Sequence, residues 1–256
     1  MLHAFSRFEM LVGHEAMEKL AAFKVAVFGV GGVGSFVVEG LARSGIGKFV
    51  LVDDDLICLT NINRQIHAVR KTVGRPKVDV MKERILDINP KAEVETQRIF
   101  YLPENAGRLL DSRPDYIVDA IDTVTAKIDL VMRARERGIP IISSMGTGNK
   151  FDPTKLEITD ISKTTVDPLA RVMRKELRDR GITSLKVLFS VEEPSETLED
   201  AQTSCREGCV CPKGAVRKCT DRRSIPGSTA FVPSVGGLII AGEVVKDIIG
   251  RGKAIV

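Results

Sequence analysis

The stretch Gly29-Val-Gly31-Gly32-Val-Gly34 has the spacing G-x-G-x-x-G. Glycines there let backbone N–H groups approach a phosphate, and a helix starting at the loop points its free N–H groups at the same anion. Asp53 lies 19 residues past Gly34, where an acidic side chain meets ribose hydroxyls. These residues point to a nucleotide, with NAD, FAD, S-adenosylmethionine and ATP all open. The charges that follow narrow the choice. Asp53-Asp54-Asp55 precedes Thr60-Asn61-Ile62-Asn63-Arg64-Gln65, and Lys77 and Asp122 come later. Hydride transfer has no use for so many charges beside the phosphates. Attack on the α-phosphorus of ATP does, because negative charge builds on the phosphoryl oxygens and the departing pyrophosphate. Arg64 and Lys77 are the cations for that chemistry. Asp122 and Asp55 are carboxylates of the kind that hold Mg²⁺. Taken singly, Arg64 reads equally as a surface ion pair, Lys77 as a solvated lysine and Asp122 as a helix cap. Their joint placement at the ends of successive strands favours a site.

The elements that would carry these residues follow from apolar spacing. Strands are expected at Lys24–Gly29, Lys48–Val52, Ala92–Ile99, Tyr116–Ile121 and Pro140–Ser144. Helices are expected at Val33–Ser44, Arg75–Ile88, Pro103–Leu110 and Val124–Arg137. This alternation predicts an α/β fold with a Rossmann-like, mostly parallel sheet flanked by helices. After Gly146 the rhythm changes. Leu156–Ile161 and Lys186–Ser190 read as strands, Asp167–Arg180 as a charged helix, Thr229–Val232 as a last strand and Val235–Ile249 as a closing helix. The expected organisation is one domain over residues 1–256: a nucleotide-binding core at 1–146, then a C-terminal part at 147–256 with a long Cys-rich basic loop at 194–227.

The combination of Gly29-Val-Gly-Gly-Val-Gly34, Asp53-x-Asp55, Asn61-x-x-Arg64-Gln65, Lys77 and Asp122 resembles the ubiquitin-activating-enzyme-like superfamily of adenylating enzymes, which includes the ThiF and MoeB proteins. The resemblance implies that Gly29, Gly31, Gly32, Gly34, Asp53, Asp55, Asn61, Arg64, Gln65, Lys77 and Asp122 form an ATP and Mg²⁺ site that adenylates a carboxylate. It also implies that Arg7 reaches the phosphates of a neighbouring subunit, hence a homodimer with Arg7 acting in trans. Asn61-Ile-Asn-Arg-Gln-Ile-His67-Ala, Asp160-Ile-Ser-Lys163-Thr-Thr-Val-Asp167-Pro-Leu-Ala170 and Phe231-Val-Pro-Ser-Val-Gly-Gly237 are similar to one branch, the tRNA threonylcarbamoyladenosine dehydratases. That branch implies a tRNA substrate, sulfur-relay protein partners and closure of an acyl-adenylate to a cyclic hydantoin. Such a cyclisation needs no acceptor cysteine, since the substrate supplies the nucleophile. Cys58, between Ile57 and Leu59, reads as packed. An activator of a ubiquitin-like sulfur carrier is the alternative enzyme, and a non-enzymatic NAD-sensing or scaffold protein the alternative from another class.

Composition sets the remaining limits. With 43% hydrophobic and 28% charged residues the chain is neither disordered nor fibrous. No apolar run approaches the ~20 residues of a membrane span, and Met1–Leu11 lacks the core of a signal peptide, so a cytoplasmic location is expected. Net charge is +4, and Cys205–Arg223, with six basic and two acidic residues, carries all of it. Cys205, Cys209, Cys211 and Cys219 in that stretch could close a zinc site or hold an iron–sulfur cluster. Arg171, Arg174, Lys175 and Arg178 share a helix face, a second candidate surface for tRNA phosphates. Aromatic residues are sparse, at 5%, and no base stacking is expected from their placement.

Overall fold

The computed structural model describes residues 2–198, 210–214 and 226–252. Two short helices, α1 (Ser6–Val12) and α2 (His14–Ala22), lead into β1 (Lys24–Phe28). Then follow α3 (Gly32–Arg43), β2 (Lys48–Val52), α4 (Lys77–Ile88), β3 (Glu93–Gln97), α5 (Ala106–Leu110), β4 (Tyr116–Asp119), α6 (Val124–Glu136) and β5 (Ile141–Ser144). The chain continues through β6 (Leu156–Asp160), α7 (Pro168–Arg178), β7 (Lys186–Ser190) and α8 (Val232–Ile248). The strands make one seven-stranded sheet in the order β3-β2-β1-β4-β5-β7-β6. All neighbours are parallel except β6, which runs antiparallel to β7 at the edge.

The central strands are apolar on both faces because helices cover both. On one side Val25, Val27, Leu51 and Val118 pack with Val37 and Leu41 of α3, Met81 and Ile85 of α4, and Ile240 and Val244 of α8. On the other, Ala26, Phe28, Val50 and Ile117 pack with Leu109 and Leu110 of α5 and Ala126 and Leu130 of α6. Helix α8 lies against α3 with almost no side chain between them. A Cβ at Gly40 would stand 2.7 Å from that of Ala241, and one at Gly237 would collide with the Val33 carbonyl. The outer strand β3 reads Glu-Val-Glu-Thr-Gln, a polar edge that resists pairing with another sheet.

Besides small shifts of bounds, as at α5, which starts at Ala106 rather than Pro103, three differences from the expected elements have a physical cause. Strand β4 stops at Asp119, not Ile121, because the Asp119 carboxylate turns the chain by accepting the Ile121 N–H at 3.2 Å. Thr229–Val232 is not a strand: Thr229–Phe231 are irregular, and Val232 and Pro233 open α8, where the missing proline N–H costs nothing. Helices α1 and α2 have no counterpart in the sequence reading. The first buries no residue and the second only Leu20, so their apolar pattern is faint.

Candidate active site

Strand β1 ends in a glycine loop pressed against the backbone that follows β4. Gly29 has φ +86°, and a Cβ there would lie 2.5 Å from the Ala120 carbonyl oxygen. A Cβ at Gly34 would collide with the Gly29 carbonyl. These two glycines close the turn, and α3 begins inside it at Gly32. Gly31 has different surroundings: among the described residues only the Gln65 Nε2, 3.9 Å away, is near its Cβ position. Gly32 has the Arg64 Cδ at 3.7 Å and Pro233 of α8 at 3.2 Å. The loop, Arg64, Gln65 and the start of α8 thus share one end of the sheet.

Asp53 follows β2 and braces that loop. Its Oδ2 accepts the Val30 N–H at 2.7 Å and its Oδ1 the Asp55 N–H at 2.9 Å. Burial pushes the Asp53 carboxyl above its ordinary value, with Lys77 pulling the other way. Lys77, first residue of α4, sends its Nζ between two acids, 2.7 Å from Asp55 Oδ2 and 3.7 Å from Asp53 Oδ1. Its side chain is only 6% exposed, so the ammonium is held by carboxylates rather than by water. Asn61 is buried and its Oδ1 caps the turn by accepting the Cys58 N–H at 3.0 Å. Arg64 Nη1 donates to the Thr60 carbonyl at 2.8 Å and to Asn63 Oδ1 at 2.9 Å. Cys58 is buried, as expected for a packed thiol.

Asp122 is exposed, three residues beyond the end of β4. What fixes it was not visible in the sequence. Lys127 of α6, with no exposed surface, lies 2.9 Å from the equally buried Asp119 and donates to the Ile121 carbonyl at 3.2 Å. Ser143 Oγ donates to the same carboxylate at 2.6 Å. A second buried pair, Lys150 with Asp167 at 2.7 Å, ties the turn after β5 to the start of α7, with Lys150 also donating to the Gly146 carbonyl at 2.8 Å. His67 and Gln65 are buried as well, and neither ring nitrogen of His67 nor Gln65 Oε1 has a hydrogen-bond partner among the described residues. Burial above all, then Lys77 and Arg84, lowers the His67 pKa to about 3, so the ring is neutral.

Not every expected residue is at this place. Arg7 is exposed on α1, and Phe5, two residues earlier, packs near Gly45 at the far end of α3. The 12 residues of α3 span about 18 Å. Within one chain, Arg7 and the glycine loop are therefore separated by about a helix length. Cys205, Cys209 and Cys219 lie outside the described residues. Cys211 belongs to the short piece 210–214, which meets the loop carrying Asn61: the Val210 carbonyl is 3.7 Å from Cys58 Sγ. On α7, Arg171, Lys175 and Arg178 are exposed, while Arg174 is tied down through 2.8 Å and 2.5 Å bonds to Thr164. The basic face is narrower than its letters suggest.

A family model described as the ThiF family matches residues 5–255. The chain belongs to the ThiF family. Among the relatives of this ThiF-family chain is the tRNA threonylcarbamoyladenosine dehydratase of Bacillus subtilis, 49% identical over 250 residues, covering 97% of this chain and 96% of that one. The protein of the same description from Escherichia coli is 35% identical over 252 residues, covering 94% and 91%. Its crystal structure in complex with ATP superimposes with a TM-score of 0.83 at 32% identity, covering 97% of this chain and 94% of that one. In this ThiF-family site the glycine loop, Asp53, Lys77 and Arg64 were legible as motifs. Lys127 and Lys150 were not, since a buried lysine has the same letter as a solvated one, and of His67 the stretch Asn61–Ala68 gave the position but not the burial.

Proposed function

We propose that this chain is an ATP-dependent tRNA threonylcarbamoyladenosine dehydratase. The observation that carries this reading is its likeness, over nearly the whole length, to dehydratases from distant bacteria. The geometry agrees with the chemistry. A nucleotide laid on the Gly31–Gly32 backbone would have the first turn of α3 at its phosphates and Asp53 toward its ribose. Lys77 and Arg64 would meet charge developing on the phosphoryl oxygens. A substrate carboxylate oxygen attacks the α-phosphorus, and the bond to pyrophosphate breaks. The carbamoyl nitrogen of the same group then attacks the activated carbonyl, loses its proton, and AMP leaves with the carboxylate oxygen. The net loss from the nucleoside is one water. The nucleophile arrives within the substrate, so ring closure is an intramolecular step.

A divalent cation fits the donors present. Asp122 is an exposed carboxylate beside the loop, and the Asp53, Asp54 and Asp55 carboxylates lie within 4.8 Å of one another. Such hard oxygen donors suit Mg²⁺, which would neutralise phosphate charge when bound. Arg7, a helix length from its own glycine loop, would serve the site of a second copy in a homodimer. The exposed Arg171, Lys175 and Arg178 would meet tRNA phosphates. Residues 1–146 and 147–256 would act as one unit, since β6 and β7 complete the sheet begun by β1 to β5.

The test is incubation with ATP, Mg²⁺ and tRNA bearing threonylcarbamoyladenosine, followed by mass spectrometry of the nucleosides. Loss of one water, with AMP and pyrophosphate formed, is expected. An unchanged nucleoside, with ATP consumed only when a carrier protein is supplied, overturns the reading in favour of a sulfur-carrier activator.

A further inference from the structure

We propose that Phe151 and Phe231 form a platform on which a nucleobase of the RNA substrate stacks beside the adenylation site. This rests on the functional reading above and goes beyond it by locating a contact for RNA. The two residues are 80 positions apart in sequence, yet their ring centroids are 5.2 Å apart, with the planes at 84°. Phe151 is 69% exposed and Phe231 40%. Neither ring belongs to the apolar layers of the sheet. Phe151 leaves most of its surface in water and Phe231 a good part of it, an exposed aromatic patch of the kind used for contacts.

The mount is stiff. The Phe151 and Asp152 N–H groups donate to the two oxygens of Glu192, each at 2.9 Å. Asn149, two residues before Phe151, is bonded to Gly227 in both directions, at 2.8 Å and 2.6 Å. Phe231 caps the start of α8, and its carbonyl accepts the Val235 N–H at 2.9 Å. The rings are thus presented rather than left loose, which lowers the ordering cost of stacking.

Position and charge select the occupant. Pro233, two residues past Phe231, packs at 3.2 Å from the Cβ position of Gly32, so the platform adjoins the phosphate loop. Asn63, next to Arg64, donates to the Ser228 carbonyl at 3.0 Å and joins the same corner. The Ser195 N–H donates to the Asn149 carbonyl at 2.7 Å, and the Gly227 N–H donates to the Oδ1 of the same asparagine at 2.6 Å. Arg64, whose Cδ lies 3.7 Å from the Cβ position of Gly32, places a cation at the same corner. Exposed rings beside a cation and a phosphate loop suit a polyanion with planar groups, which describes single-stranded RNA. Bases that leave their stack next to the one carrying the carboxylate are taken up on aromatic faces. Phenylalanine has no hydrogen-bonding group, so the contact tolerates any base.

The test compares the wild type with F151A, F231A, F231L and F231Y. The probe is a short RNA stem-loop bearing threonylcarbamoyladenosine in its loop. Each alanine variant is expected to weaken RNA binding about ten-fold. F231L should bind as weakly as F231A, and F231Y as well as the wild type. ATP binding and the sedimentation coefficient should not move. Unchanged RNA affinity in both alanine variants, or full affinity in F231L, overturns the platform. A changed sedimentation coefficient also overturns it, assigning the rings to contact with a second copy. A wild type that binds the stem-loop but performs no dehydration overturns the functional reading, while the stacking contact is still read from the variants.

Discussion

Lys77 sits between Asp55 and Asp53, so its ammonium is matched by protein carboxylates before any nucleotide arrives. A phosphate group must compete with Asp55 for that ammonium. K77M is expected to lower ATP–pyrophosphate exchange about 100-fold or more, the scale of losing one preorganised charge-stabilising donor. K77R should not restore it, because a planar fork does not replace a point charge in a 2.7 Å contact. His67 supports a different prediction. Its pKa is 6.5 in the unfolded chain and about 3 in the fold, so the unfolded state binds the extra proton between those values. Above pH 6.5 it adds no proton-linked cost, and stability falls as pH drops from 6.5 toward about 3. The slope from this residue reaches about 1.4 kcal/mol per pH unit. Urea unfolding of H67L across that window should show a flatter acid limb than the wild type.

At the level of elements, the Asp119–Lys127 pair holds the end of β4 and, through the Ile121 carbonyl, the backbone leading to Asp122. Removing one member leaves a bare buried charge, whereas removing both does not. K127M should lose about 3–5 kcal/mol in urea unfolding, and D119N/K127M should recover most of it. Adenylation should stay low in both, because neither restores a donor to Ile121. Full activity in the double variant would show that the pair serves stability alone. The same region shows how far the sequence could be read. The alternation from β1 to β5 was legible because buried strands and amphipathic helices differ in apolar spacing. The end of β4 was not, since a hydrogen bond from the Ile121 N–H to the Asp119 carboxylate, rather than any change in apolar pattern, stops it. The glycine loop, Asp53 and Lys77 announced themselves by type and spacing. The Phe151–Phe231 pair could not, because its members come from segments 80 residues apart that meet only after β5 and α8 are docked.

For the whole molecule, Arg7 makes the decisive prediction. If it serves the partner's site, R7A and K77M should each be inactive alone yet complement when mixed. Random exchange of subunits gives half heterodimers, each with one complete site, so activity should return to about a quarter of wild type. No recovery after exchange would place Arg7 with its own chain. The order of the elements has a further consequence for synthesis. The glycine loop, Asp53, Lys77 and Asp122 all belong to the first half of the chain, but Pro233 and the apolar length of α8 come near its end. While the protein emerges from the ribosome, the face of α3 that Gly237 and Ala241 will cover stays open. The first half cannot finish its own core, and a nascent chain halted before Val232 would be a client for chaperones rather than a working half-enzyme.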